Sequence, residues 1–236
     1  MKSSIVTFLI LLFLTVSSNV QAQSLQEVLD KHFKAIGQES LLQKKSFEIK
    51  ATVKQMGMEI PMTMKMKRPD KFRMEMEMQG QKMIQAYDGE NGWMIMPGMG
   101  TEPQSLSGPQ LEQAKEQANI DGELYNYEEK GSSAAFAGKV NVEGTPMFSI
   151  KLTAKDGSVK NYFIDTERYF IRKVKVKANI QGQEMEIEQN LSDYKEFDGV
   201  MMATNIESKS PMGTANIIFE EIKFGITFDD SDFTKP

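Results

Sequence analysis

The 236-residue chain contains no cysteine, one histidine and one tryptophan. Without thiols there are no disulfide staples and no thiolate metal sites, so packing alone must hold the fold in an oxidising compartment. A lipid anchor attached through an N-terminal cysteine is excluded for the same reason. A lone His32 cannot build the clustered imidazole centre of a metal-dependent hydrolase, and beside Asp30 and Lys31 it reads as a solvated helix residue. There is no G-x-S-x-G elbow, no P-loop and no dinucleotide fingerprint. Closely spaced carboxylates do occur, as at Glu75 and Glu77 or Glu184, Glu186 and Glu188. Each set alternates with apolar residues, so it reads as the wet face of a strand rather than an acid–base pair. The formal net charge is −5, with lysines and glutamates interspersed, which leaves no basic face for nucleic acid. These absences point away from an enzyme, a resident cofactor and a bound metal.

Long apolar runs are also missing, apart from residues 5–16 behind Lys2. That run is too short to span a bilayer, and Val20-Gln21-Ala22 follows it with small residues at the positions a signal peptidase reads. The expectation is export to the periplasm with cleavage after Ala22, leaving residues 23–236 as one domain. No composition break marks a second domain.

Methionine is what the chain has in excess, with 18 in all and 12 of them between Met56 and Met99. Leu25, Val28, Leu29, Phe33 and Ile36 first recur at helical spacing, and Gly37 is placed to cap them. From Phe47 the apolar period becomes two. Phe47, Ile49, Ala51 and Val53 alternate with charged or polar residues, and a tight Met56-Gly57 turn sets Val53 opposite Ile60, Ala51 opposite Met62, Ile49 opposite Met64 and Lys54 opposite Glu59. After Arg68-Pro69-Asp70 the stripe returns as Phe72, Met74, Met76 and Met78. Charge favours pairing Met66 with Met74, because Lys65 then opposes Glu75 rather than Arg73. A turn at Gln181-Gly182 likewise sets Lys177 against Glu186 and Val176 against Ile187. Counting such runs gives about a dozen strands, hence one strongly curved antiparallel sheet in a mainly β protein. Residues 97–126 interrupt it with a helix over 109–119, for which Ser107 is the cap candidate. Its stripe of Leu111, Ala114 and Ala118 is thin, so the insert is expected to dock weakly.

Two chemistries suit the methionine stripe. Unbranched, polarizable thioethers repack at low cost around ligands of varied shape, which suits a lipid-like guest. They also ligate copper(I), although neighbours two apart on one strand lie about 6.6–7 Å from each other, so only cross-strand pairs would share an ion. A plain packed core is the third reading, and an envelope-sensing interaction domain without a lipid ligand the fourth.

The stretch from Lys67 to Pro97, "KRPDKFRMEM…MIQAYDGENGWMIMP", resembles periplasmic lipoprotein carriers of the LolA type in its R-P turn, D-G hairpin, tryptophan and proline. The run from Asn161 to Glu207 and the opening "VLDKHFKAIGQESL" are similar to the same family, so most of the chain after residue 22 is covered. The resemblance implies a half-open barrel with helices packed on its concave side, an acylated lipoprotein or lipid as ligand, an envelope membrane receptor as handover partner, and a monomer. On this reading Ile49, Val53, Ile60, Met62, Met64, Met66, Met74, Met76, Met78 and Leu111 line the lipid cavity, and the helix over 109–119 is its lid.

Overall fold

The structure is a computed structural model that describes residues 24–236 apart from 97, 99, 181, 182 and 212. The export signal and the Gln181-Gly182 turn lie outside the described residues. Two helices open the fold, α1 (Leu25–Ile36) and α2 (Gln38–Gln43). Next come β1 (Ser46–Gln55), β2 (Met58–Lys67), β3 (Lys71–Met78), β4 (Gln81–Tyr87), β5 (Gly92–Ile95) and the two-residue β6 (Gln104–Ser105). Helix α3 (Gly108–Gln117) separates these from β7 (Ser133–Val142), β8 (Thr145–Thr153), β9 (Val159–Asp165), β10 (Ile171–Ile180), β11 (Gln183–Phe197), β12 (Val200–Ser210) and β13 (Gly213–Phe224). A single 3-10 turn follows at Asp230–Asp232.

All 13 strands form one sheet in the order β6-β5-β4-β3-β2-β1-β13-β12-β11-β10-β9-β8-β7. Every described pairing is antiparallel and joins sequence neighbours, except that β1 closes onto β13. Such a sheet cannot stay flat, because each strand pair adds right-handed twist. It curls into a half-open barrel whose concave side takes the helices: the curvature is what periodicity leads one to expect, and the half-open barrel with its helices is what the family resemblance implies.

Ser24 accepts from the Glu27 amide to start α1, and Gly37 ends it at φ 70°, a left-handed conformation suited to glycine. A side chain at Gly37 would also meet the Gly199 carbonyl at 2.1 Å, so the joint between α1 and α2 sits directly on the β11–β12 turn. Helix α1 fills the concave side over β7–β11, burying Val28 and Leu29 against Phe148, Ile150, Tyr162, Ile164 and Val174. The same placement buries His32 at 4% exposure, where Nδ1–H donates to the Tyr169 carbonyl at 2.7 Å. This corrects the solvated reading of His32: its α1 face turns toward the β9–β10 loop, which sequence spacing does not reveal. Burial lowers the imidazole's pKa from 6.5, against the opposing effect of the Tyr169 hydrogen bond.

The β1–β2 register is the expected one, with Val53 facing Ile60, Ala51 facing Met62 and Ile49 facing Met64. So is that of β10–β11, where Lys177 faces Glu186 and Val176 faces Ile187. The β2–β3 register is not. Met66 faces Phe72, Met64 faces Met74 and Lys65 faces Arg73, which is the like-charged alternative. The charge is neutralised by residues far along the chain. Lys65 Nζ lies 3.3 Å from Asp232 Oδ1, and Arg73 donates to Glu75 at 2.6 Å and to the Asp232 carbonyl at 2.8 Å. The C-terminal segment crosses this convex face, fixed by Trp93 Nε1 donating to the Phe233 carbonyl at 2.8 Å.

Candidate hydrophobic binding face

Correct pairing of five neighbouring strands stacks their concave residues into rows. Phe224, Phe47, Met66, Phe72 and Tyr87 make one row, and Ile222, Ile49, Met64 and Met74 the next. A third row runs through Phe219, Ala51, Met62, Met76 and Met83, and Ile217, Val53 and Ile60 begin a fourth. Directly opposed side chains have Cβ atoms about 5 Å apart, so each row is a continuous apolar band.

Nine of the ten residues read from sequence belong to this one cluster. Ile49, Val53, Ile60, Met62 and Met66 are buried, while Met64, Met74, Met76 and Leu111 are half-buried. Met78 is not among them. It lies at the end of β3 beside the Gln79-Gly80 turn and is 38% exposed, at the tip of the hairpin rather than in the cluster. The face is also fuller than a vacant hollow. Leu106, Ala114, Ala118 and Ile120 from the segment around α3 pack onto it and are themselves buried.

Helix α3 is the lightly packed part of this cover. Ser107 occupies its N-cap position without a side-chain hydrogen bond, and Ala114 is its one fully buried residue. Its apolar footprint is therefore two methyl groups, from Ala114 and the capping Ala118, plus the half-buried Leu111. A narrow groove of about 150 Å³ runs beside it, lined by Met83, Met94, Met96, Leu106 and Gln110.

Polar ties hold the far end of this segment. Arg68 grips Asp121 with both terminal nitrogens, Nη2 to Oδ1 at 2.5 Å and Nη1 to Oδ2 at 3.1 Å. The same guanidinium donates to the Lys44 carbonyl at 2.8 Å and the Leu41 carbonyl at 3.2 Å. One arginine thus joins the β2–β3 turn, α2 and the loop after α3. Gln38 Nε2 adds a 3.2 Å bond to the Asp121 carbonyl, and Lys160 on β9 pairs with Glu116 at 3.0 Å and also with Glu123. Sequence reading assigns Arg68 only to a turn. Its partners come from three separated segments, and no local spacing announces them. Beyond this tie lies an open groove of about 1050 Å³ lined by Lys44, Arg68, Asp121, Phe224, Ile226 and Phe228.

Among the described residues no cluster of three or more His, Asp or Glu side chains is arranged to hold a metal ion, and no helix is long and apolar enough to cross a membrane. No family model and no curated protein matches the chain by sequence. Solved structures do match. A LolA superfamily protein from Nitrosomonas europaea superposes with a TM-score of 0.63 at 14% identity, covering 91% of this chain and 99% of its own. An outer membrane lipoprotein-sorting protein domain from Vibrio parahaemolyticus gives 0.60 at 13% identity, covering 88% and 97%. A DUF1329 family protein from Desulfovibrio piger gives 0.60 at 12% identity, again covering 88% and 97%. At such identities the likeness establishes architecture, and this chain has the LolA-like fold.

Proposed function

We propose that the protein is a non-enzymatic periplasmic carrier that holds the hydrocarbon chains of a lipid or an acylated lipoprotein against its methionine-rich concave face. The observation carrying this reading is the pairing of an adaptable wall with a light cover. Rows of thioethers on β2–β4 lie under a helix that contributes little apolar area of its own. A guest displacing α3 gains more contact than the helix gives up. Each methylene moved out of water contributes about 0.8 kcal/mol, so a sixteen-carbon chain gains roughly 10 kcal/mol before ordering costs. Arg68 and Asp121 then act as the hinge side of the lid, holding its far end while Leu111 and the alanines lift. The similarity of the fold to a lipoprotein-sorting protein domain supports this reading.

Native mass spectrometry of protein isolated from its own envelope tests it. Bound lipid or acylated protein supports the carrier. Copper at fixed stoichiometry favours the thioether metal site, for which the facing pairs Met62–Met76 and Met76–Met83 are the candidates. A bare chain that takes up no lipid leaves an interaction domain.

A further inference from the structure

The two rims of the half-barrel differ. At one rim the turns carry Arg68 and Asp70, Asp88 and Glu90, Glu143, Glu167 and Arg168, and Asp198. At the other, the β1–β2 and β3–β4 turns are Met56-Gly57 and Gln79-Gly80, with no charge, and the charged pair Lys155 and Asp156 sits further round, in the β8–β9 turn. Every large hydrophobic residue recorded as exposed among the described residues belongs to this second rim. They are Met56 at 76%, and Met58, Met78 and Met96 at 38% each. The β1–β2 tip also lies close to the start of β13, since a Cβ built on Gly213 would lie 4.0 Å from the Met56 methyl. Met56, Met58 and Met78 stand at the tips of the adjacent β1–β2 and β3–β4 hairpins and so form one apolar crest, and such a crest marks a docking surface.

We propose that this methionine crest seats on a zwitterionic lipid bilayer. The proposal rests on the carrier reading above and adds the surface through which hydrocarbon enters. Charge complementarity selects the occupant. Directly behind the tips, Lys54 pairs with Glu59 at 2.7 Å, Lys209 with Glu207 at 3.2 Å, and Lys82 faces Glu77. This collar of alternating sign has no net charge and matches headgroups that carry both signs, whereas a basic collar would be needed to prefer an anionic membrane. The opposite rim, rich in ionised side chains, is costly to desolvate and stays in water, which orients the barrel. Methionine suits the position because its flexible thioether enters the acyl boundary without a fixed shape. Strands β2 and β3 run from the crest into the half-buried Met64, Met74 and Met76, so the seated rim opens onto the concave face.

Flotation with phosphatidylcholine vesicles tests the crest, using the full chain and the double variant Met56→Asp/Met78→Asp. Both positions are exposed, so the variant keeps its fold. Uptake of a free fluorescent fatty acid, with no vesicles present, is read separately: failure of the carrier reading appears there, and failure of the crest appears only in flotation. The expected result is that the wild type floats at low and high salt alike. The double variant binds weaker by about tenfold or more per lost methionine, with fatty-acid uptake unchanged. The proposal is overturned if the wild type stays unbound, if the variant floats equally well, or if binding requires anionic lipid. It is equally overturned if sedimentation without vesicles finds a wild-type dimer that the variant dissolves, since the crest would then be covered by a second copy.

Discussion

One concave surface carries two cores of different character. Over β7–β10 the lining is Phe148, Ile150, Leu152, Tyr162, Ile164 and Val174, closed by Val28 and Leu29 of α1, and that cluster contains no methionine. Over β1–β4 the lining includes Met62, Met64, Met66, Met74 and Met76, closed by alanines of α3. The covering helices differ in parallel. Helix α1 has a side-chain N-cap and a glycine C-cap, and it buries branched residues, whereas α3 has no side-chain cap bond. Stiff β-branched and aromatic groups give a unique interlocked packing, while thioethers tolerate several. The comparison teaches that the chain places stiff side chains under the well-capped, deeply packed helix and adaptable ones under the lightly packed one.

The largest expected effects separate the two halves. Ile150→Asp puts an unpaired carboxylate in the permanent core and should cost more than about 4 kcal/mol, seen as loss of the cooperative thermal transition. Met64→Asp with Met76→Asp falls on half-buried positions, so the protein should stay folded yet lose lipid uptake. Equal collapse of both variants would erase the distinction. Next in size, Arg68→Leu leaves Asp121 without its partner at a site about a quarter exposed. Protection of amides around residues 106–122 against hydrogen exchange should drop by about 2 kcal/mol, with the α1 core unaffected. Ser107→Asp works the other way. A carboxylate at the uncapped start of α3 should firm the lid by about 0.5–1 kcal/mol and slow lipid uptake.

A pH scan offers a finer contrast. The folded-state pKa of His32 is depressed below 6.5, so the unfolded chain binds the extra proton first. Its contribution is complete above pH 6.5 and declines as pH falls below that value. The midpoint of thermal unfolding should therefore fall on acidification, and His32→Leu should flatten this decline; an unchanged slope would place the pH sensitivity elsewhere.

How much of this is readable from sequence depends on how local the deciding contacts are. The β1–β2 and β10–β11 registers follow from parity and facing charges within one hairpin. The β2–β3 register does not, because the groups that tolerate Lys65 opposite Arg73 are Asp232 and its carbonyl, roughly 160 residues onward. Burial of His32 depends on a loop 137 residues away, and the reach of Arg68 on Leu41, Lys44 and Asp121. Strand alternation placed Ile49, Val53, Ile60 and five of the methionines in one cluster and the helical stripe added Leu111, yet the extent to which Leu106 and Ile120 fill that face depends on the path of the 97–126 insert. Met78 shares the parity of its neighbours, but parity does not reveal that it stands at the exposed tip of its hairpin.

The most direct measurement is NMR of protein labelled at its methionine, isoleucine and leucine methyls, with amide exchange read alongside, during titration with palmitate below its aggregation limit. The account predicts that the Met62, Met64, Met74 and Met76 methyls shift saturably and that α3 amides lose protection, while Ile150 and Leu29 stay still. No shift at those methyls, or equal shifts under α1, would contradict it.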